Sequence, residues 1–328
     1  MQETGSSLSQ LDRVMAFLRD CGAEEFPHAR EQSLYAHLLG TRDVLARWSQ
    51  PFSLQTAGLL HSIYSTDTYH RQLVAFSQRS QVQQIAGACA ERIAFLFCVT
   101  SRADLWDQLA RNEVVGEAGL TIKRHAGDCE TSEDLTREEI RSLIVLHMAN
   151  TAEQAARSSG APARWLARVS RLGLRLREFE GPLPPVFLHC SELLSDTDEE
   201  IVRDAYRKGL QLLPQDPSQA ASYFAASVAA CPYIAEPMIW EACVFQHRGD
   251  TANALQRTRW ARQILSQWGV PWDKRLELEE WARFLDYLDQ AGQSLLSLDI
   301  STTDELFHAI KMLGVNSEAA PAFGALCD

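Results

Sequence analysis

His37 and His61 are the residues whose type and spacing first suggest chemistry, because imidazole nitrogens bind transition metals and exchange protons near neutral pH. They lie 24 residues apart, one in each of two successive segments of helical periodicity. A carboxylate directly after His61 would extend a metal site, but Ser62 occupies that position. Asp67 or His70 could rebuild the site locally, since two histidines and one carboxylate form the donor set of many non-haem iron proteins. The candidate metal ligands are therefore His37, His61, Asp67 and His70.

The segments that must position these residues have the period of α-helices, and no long run alternates as a strand would. We therefore predict an all-α fold. The helix that contains His37 should end before Pro51, and Ser53 should cap a short helix that ends near His61. A long helical segment is predicted from about 81 to 111.

A second group of polar residues lies on a later helix. Thr136 and Glu139 have the spacing of a capping box and predict the start of that helix, which contains Asn150 and Glu153. Before it, the segment TIKRH at 121–125 predicts a brief strand or hairpin. His28 precedes the helix of His37 and is interpreted as a surface-loop residue. His125 with Cys129, and His189 with Cys190, are weaker ligand pairs, since neither has a matching second pair.

The segment from about 30 to 155 resembles the HD-domain superfamily, most closely the hydrolase domain of the RelA/SpoT alarmone enzymes. The resemblance lies in two histidines 24 residues apart, the second in an LLH context, and a later IVLHMANTAEQ helix. It implies that the family's divalent-cation ligands correspond to His37, His61, Ser62 and Asn150, which lack both carboxylates. HSIYSTDTY also resembles the HS-x-Y-x-T segment of an uncharacterised HD-like family.

The resemblance leaves three interpretations open. The two histidines could be inherited core residues whose hydrogen bonds are satisfied by Ser62, Asn150 and backbone groups. They could belong to a rebuilt metal site, or the ordinary HD chemistry could persist. The last requires an acidic pair that in the alarmone hydrolases follows the His-Asp doublet and here falls on Ser65 and Thr66. In each case the residues predicted to line one pocket are His37, His61, Ser62, Tyr64, Asn150 and Glu153.

The second half of the chain has a different pattern. Ala220 and Ala254 are 34 residues apart, and the small, aromatic and Gly249-Asp250 turn positions recur as in the tetratricopeptide repeat. The resemblance covers about 198–290. The inner positions predicted from this register are Ala220, Phe224, Ala242, Phe245, Ala254 and Ala261.

Composition narrows the classes of partner. The net charge is −12 and there is no run of Lys or Arg, which argues against nucleic acid because phosphate binding needs clustered cations. The sequence has no apolar stretch of the roughly 18–20 residues that a membrane helix needs and no signal peptide, so we expect a cytoplasmic protein. Eight cysteines without a CxxC motif indicate reduced thiols.

These patterns predict an HD-like helical domain at 1–190, a tetratricopeptide-like domain at 198–295, and a C-terminal helix and tail at 296–328. The predicted function is a pseudo-enzyme that binds a small molecule or a partner protein, the latter through the helical repeats. No cofactor is then expected. The alternative is a metal-dependent enzyme of unusual HD type, a phosphohydrolase or a non-haem iron oxygenase, with Fe or Mn; whether the protein is an enzyme stays open.

Overall fold

The structure is a computed structural model and is all-α, as the periodicity predicted, with one small two-stranded sheet among the residues it describes. No described helix combines the length and the apolar character needed to cross a membrane. The chain divides into two compact units, Met1–Gln154 with Leu172–Pro184, and Ala155–Arg171 with Pro185–Asp328. The described residues are 2–28, 32–111, 114–125, 131–154, 164–189, 194–290, 295–298 and 300–313.

The first unit is built on helices that surround a buried central one. Helix α7 is buried along its whole middle, from Ile140 to Asn150, and contacts α2, α3 and α5. The elements are α1 (Gln2–Asp20), α2 (Leu34–Arg47), α3 (Phe52–Leu60), α4 (Arg79–Ala86), α5 (Ala88–Val99), α6 (Arg102–Arg111), β1 (Leu120–Lys123), β2 (Ser132–Leu135) and α7 (Arg137–Gln154). Helix α8 (Leu166–Arg175) contains the division between the units, after Arg171.

Two local predictions in the first unit are confirmed. Residues 121–123 lie in β1, which pairs antiparallel with β2 so that Leu120 is opposite Leu135. The capping box also forms: the Glu139 N–H donates to Thr136 Oγ1 over 3.2 Å, and the Thr136 N–H donates to Glu139 Oε2 over 2.8 Å. These two bonds fix the start of α7 and hence the position of Asn150 along it.

Two other local predictions are wrong. Helix α3 begins at Phe52 rather than after Ser53, because Pro51 already has the extended conformation of an N-cap residue (φ −53°, ψ 146°). The helical segment 81–111 is interrupted twice. Gly87 has φ +87°, which side-chain-bearing residues rarely adopt, and Thr100 is extended and forms a β-bridge with Arg124.

The second unit consists of helices in which consecutive members from α10 to α14 contact one another. Side chains cap several of them: Asp216 accepts from the Gln219 N–H over 2.9 Å, and Asp250 accepts from the Asn253 N–H over 3.3 Å. The helices are α9 (Val186–His189), α10 (Asp196–Leu212), α11 (Pro217–Ala230), α12 (Glu236–His247), α13 (Thr251–Trp268), α14 (Leu278–Asp289) and α15 (Thr303–Met312).

The core of the second unit is rich in buried aromatic side chains. Trp240 lies fully buried among Phe224, Trp281 and Phe307, with ring centroids 5.8–6.4 Å away. Of the six predicted inner positions, Phe245 is half-buried and the other five are buried, which confirms the burial prediction for Ala220, Phe224, Ala242, Ala254 and Ala261. Of the predicted segment 296–328, α15 is described and the tail from 314 lies outside the described residues.

Candidate functional site

The two histidines meet in the interior of the first unit. His37 lies on α2 and His61 is the residue directly after α3; neither is exposed to solvent. Their Nε2 atoms are 3.0 Å apart and the rings meet edge to face. This approach depends on Gly58 in α3, where a Cβ atom would lie 2.7 Å from Leu45 Cδ1 and 3.3 Å from Arg42 Cα on α2.

Asn150 brings an amide to the same point from the central helix α7. Its Oδ1 lies 3.0 Å from His61 Nε2, and its Nδ2 donates to Gln154 Oε1 over 3.5 Å. The side chain is 5 % exposed. The structure thus brings together His37, His61 and Asn150, three of the residues that the sequence assigned to one pocket.

The hydrogen bonds on the far side of each ring define where the lone pairs point. His61 Nδ1 lies 2.7 Å from the Gly58 carbonyl oxygen, which can only accept, so Nδ1 donates and Nε2 of a neutral ring carries the lone pair. Burial lowers the pKa of His61 well below its usual range, and the nearby His37 acts in the same direction. His61 is therefore neutral at physiological pH.

His37 is oriented in the same way by Glu153. Its Nδ1 meets a carboxylate oxygen of Glu153, which accepts, so Nδ1 donates here as well. In a neutral His37 the Nε2 lone pair would then face the lone pair of His61 across 3.0 Å. Two lone pairs would repel at this distance, and Gln154 Nε2 lies 3.3 Å from His37 Nε2, to which it can donate.

The position of Glu153 is itself built into the fold. Gln32 Nε2 donates to its Oε1 over 3.0 Å. A Cβ atom at Gly40, on the facing side of α2, would lie 2.9 Å from both Cγ and Oε1 of Glu153. Only a glycine leaves this space, and the Glu153 side chain is 10 % exposed.

His28 and Gln154 complete the surroundings; His28 lies outside the helices and is partly exposed, but its ring also reaches the site. The His28 ring stacks on His37 with centroids 4.2 Å apart, and Gln154 Nε2 donates to Nε2 of His28 over 2.8 Å and of His37 over 3.3 Å. Burial lowers the pKa of His28 to about 4, and His37 adds to the effect. Pro27 and Ser33, on either side of His28 in the chain, form an isolated antiparallel β-bridge.

Tyr64, Asp67 and His70, which were also predicted for the site, lie elsewhere. Ser62 is buried. Tyr64 donates from its hydroxyl to Glu91 over 3.1 Å, Asp67 pairs with Arg102 over 3.0 Å, and His70 is exposed. The structure therefore does not bring Asp67 or His70 to the histidine pair. Across the described residues, no three His, Cys, Asp or Glu side chains are placed to hold a metal ion together.

Glu91 forms a buried cluster that the sequence did not indicate. It accepts from Arg79 Nε over 2.6 Å and from Gln83 Nε2 over 2.9 Å, in addition to Tyr64. Burial opposes ionisation of Glu91, but the bonds from Arg79 and Gln83 outweigh it and lower its pKa. A carboxylate saturated by a guanidinium, an amide and a hydroxyl is a structural ion pair.

Of the two weaker ligand pairs, His125 is the member whose side chain is among the described residues. His125 Nε2 lies 2.6 Å from the carbonyl oxygen of Cys98. Cys129 and Cys190 lie outside the described residues, as does the side chain of His189.

Comparison with known protein families gives one match. Residues 17–102 match the model of a domain of unknown function, DUF6817. The matched segment contains His37 and His61 and ends before α7, so Asn150 and Glu153 lie beyond it. No curated protein and no solved structure matches the chain.

Proposed function

We propose that the first unit is a ligand-binding domain of degenerate HD type, a pseudo-enzyme whose binding site is the cluster of His37, His61 and Asn150. The observation that carries the proposal is the placement of charge. The side-chain amide of Asn150 contacts His61 Nε2, the two Nε2 atoms face each other, and the carboxylate of Glu153 contacts Nδ1 of the His37 ring. Such a site presents two buried nitrogens, and the neighbouring carboxylate of Glu153 is bound to His37 Nδ1 rather than placed to activate water.

The residues at the positions of the acidic pair support this proposal. Ser65 has φ +71°, and Thr66 uses its Oγ1 to accept from the Tyr69 N–H over 3.0 Å. Both are therefore turn residues with local structural roles. Metal-assisted hydrolysis needs a group that removes a proton from the attacking water, and neither hydroxyl side chain is a base at neutral pH.

The second unit is proposed to be a tetratricopeptide-like scaffold that recruits a protein partner. Its consecutive helices contact one another, and the positions offset by 34 residues, such as Ala220 and Ala254, are buried as that repeat requires. A cytoplasmic location is also part of the proposal, supported by the free cysteines among the described residues, Cys21, Cys89, Cys98, Cys231 and Cys243.

Hydrolysis of an alarmone tests the proposal for the first unit. Full-length protein is incubated with guanosine tetraphosphate and Mn²⁺, and release of pyrophosphate is compared with that of His61→Ala. We expect no turnover by either protein, because the neighbouring carboxylate of Glu153 is bound to His37 Nδ1, on the far side of the ring from the two Nε2 atoms, and no carboxylate replaces the acidic pair at Ser65 and Thr66. Manganese-dependent turnover by the wild type that is lost in His61→Ala would overturn the pseudo-enzyme assignment.

A metal-dependent enzyme, a phosphohydrolase or a non-haem iron oxygenase, is the second candidate. The observation that favours it is that the Nε2 atoms of His37 and His61 lie 3.0 Å apart. The Nδ1 atom of each ring donates to another residue, which leaves both Nε2 atoms facing each other. Stoichiometric iron or manganese in the purified protein, together with turnover, would favour this candidate over a binding protein.

A further inference from the structure

A cavity of about 390 Å³ lies within the second unit. Its walls come from α9, α11, α12 and α13 and from the loop between α11 and α12. The apolar part of its lining consists of Val186, Val228, Pro232, Met238 and Ile264. Binding sites for small molecules are typically apolar cavities of about 300–1,000 Å³ in which a few polar groups fix the orientation of the ligand. The size and the lining of this cavity agree with that class of site.

Helix α13 has two different faces. The face that packs into the core consists of Ala254, Thr258, Ala261, Leu265 and Trp268. The residues of a neighbouring face line the cavity at helical spacing, and they are Arg257, Trp260, Ile264 and Gln267. Trp260 is 46 % exposed. An exposed indole beside an apolar cavity offers a flat surface to a planar, apolar group.

Arg257 brings a positive charge to the cavity wall. Its Nε lies 3.0 Å from Oε2 of Glu241, whose side chain is 5 % exposed, and its guanidinium lies over the Trp260 ring, 5.3 Å from the centroid. The buried carboxylate and the indole thus orient the guanidinium. Its two Nη atoms carry four further N–H groups, and a guanidinium can bind a carboxylate through two parallel hydrogen bonds.

The other polar groups of the lining are neutral. Gln263 and Gln267 contribute amides, and Tyr233 contributes a phenol ring. Glu241 is not part of the lining, so among the described residues that line the cavity Arg257 alone carries a charge. Such a cavity is complementary to an apolar body with a single negative charge.

We propose that this cavity binds a small organic acid, whose planar apolar body lies against Trp260 and whose carboxylate pairs with Arg257. The inference goes beyond the proposed function, which gives the second unit a protein partner and no small-molecule site.

Three probes with the same apolar body and different charges test this on the full-length protein. They are 2-naphthylacetate, the neutral 2-naphthylacetamide and the cation 2-naphthylethylammonium, and isothermal titration calorimetry measures the affinity for each. We expect the carboxylate to bind about 10-fold more tightly than the amide, because hydrogen bonds between charged groups are stronger than those to a neutral group. The cation should bind most weakly.

Variants of α13 assign the preference to one side chain. Arg257→Gln should abolish the preference for the carboxylate while the amide still binds, and Trp260→Ala should weaken binding of both probes. Arg259→Gln is the matched control, because it removes the same charge from an exposed position of the same helix, and it should keep the preference. If Arg257→Gln fails to fold because Glu241 loses its partner, the double variant Glu241→Gln, Arg257→Gln repeats the test.

Several outcomes would overturn the proposal. These are absence of binding by all three probes, equal affinity of the wild type for carboxylate and amide, a preference that survives Arg257→Gln, and binding that Trp260→Ala does not change. The peptide acetyl-Ala-Ala-Ala-Phe carries an aromatic ring and a carboxylate at a C-terminus. If it binds more tightly than 2-naphthylacetate, the cavity accepts a protein terminus and the assignment to a small acid is wrong.

Discussion

Two glycines determine how closely the polar groups of the candidate site can approach one another. Gly58 lets α3 lie against α2, so that the nitrogens of His37 and His61 come within 3.0 Å. Gly40 leaves the space that the Glu153 carboxylate fills. Neither glycine carries a functional group. A side chain at either position, however, would occupy space that the site needs.

Gly58→Ala should destabilise the first unit. Alanine is favoured over glycine in a helix by about 1 kcal/mol, but overpacking a core costs about 1–3 kcal/mol. The new Cβ would lie 3.3 Å from the backbone at Arg42, which cannot turn aside as Leu45 can. We expect a net loss of about 1 kcal/mol or more in the free energy of unfolding, measured with urea.

Gly116→Ala is the control for this change, because a Cβ atom there would meet nothing within 4 Å. Its stability should be unchanged or slightly raised, since alanine restricts the unfolded chain. Equal stability of Gly58→Ala and the wild type would mean that the close approach of α2 and α3 does not limit packing.

The sequence predicted some residues of the site and missed others. The two groups differ in which part of the structure positions them. His37, His61 and Asn150 lie on regular helices or directly at their ends, where spacing places a side chain on a given face. His28 lies outside the helices, next to the β-bridge between Pro27 and Ser33, where helical spacing gives no prediction of its position. The bond from His37 to Glu153 depends on the packing of α2 against α7, a long-range contact that no local pattern specifies.

At the scale of the elements, periodicity predicted the helices better than their ends. The fold class, the start of α7 and strand β1 follow from local residue preferences. The interruption at Gly87 was missed, although glycine is the residue that tolerates its φ of +87°. The start of α3 at Phe52 was missed because Pro51 and Ser53 can both stand at the start of a helix. In the structure Pro51 is the N-cap residue.

The register of α13 leads to a prediction for the second unit. Ala254 is 2 % exposed, and Thr258, one turn later, is fully buried and donates to its carbonyl oxygen over 2.9 Å. Ala254→Trp should therefore overpack the helix contacts and lower the free energy of unfolding by about 1–3 kcal/mol or more. Thermal and urea unfolding measure this directly.

Ala252→Trp places the same side chain on the same helix at an exposed position. Its stability should stay within about 0.5 kcal/mol of the wild type, as for most surface substitutions. Equal melting temperatures for the two variants and the wild type would show that the inner face of α13 was assigned incorrectly.

At the scale of the whole molecule, the acidic excess of the chain is partly internal. Glu199 accepts from the backbone N–H groups of Trp165, Leu166 and Ala167 over 2.7–3.1 Å, at the start of α8. Glu236 accepts from those of Trp272 and Asp273 over 2.6 and 3.1 Å. These two buried acidic side chains thus fix the start of a helix and a loop.

The buried acids of the two units respond to pH in opposite directions. The lowered pKa of Glu91 means that its contribution to stability is present at neutral pH and is lost on acidification. Burial raises the pKa of Glu236 to about 7, and the nearby Asp273 adds to the effect, although backbone N–H groups oppose it. Between about pH 4.5 and 7 the folded protein therefore holds a proton on Glu236 that the unfolded chain has released.

This difference predicts that Glu236 makes the second unit less stable as pH rises. Its contribution is fully present below about pH 4.5 and is lost as pH rises through 7, by an amount on the order of 3 kcal/mol. Glu236→Gln stays neutral throughout, and its amide oxygen can still accept from Trp272 and Asp273. The variant should lose less stability than the wild type between about pH 5 and 8, measured by urea unfolding. Glu200→Gln, which removes an exposed ion pair with Arg164, should keep the wild-type pH dependence, and an unchanged pH dependence in Glu236→Gln would show that Glu236 is ionised in the folded protein across this range.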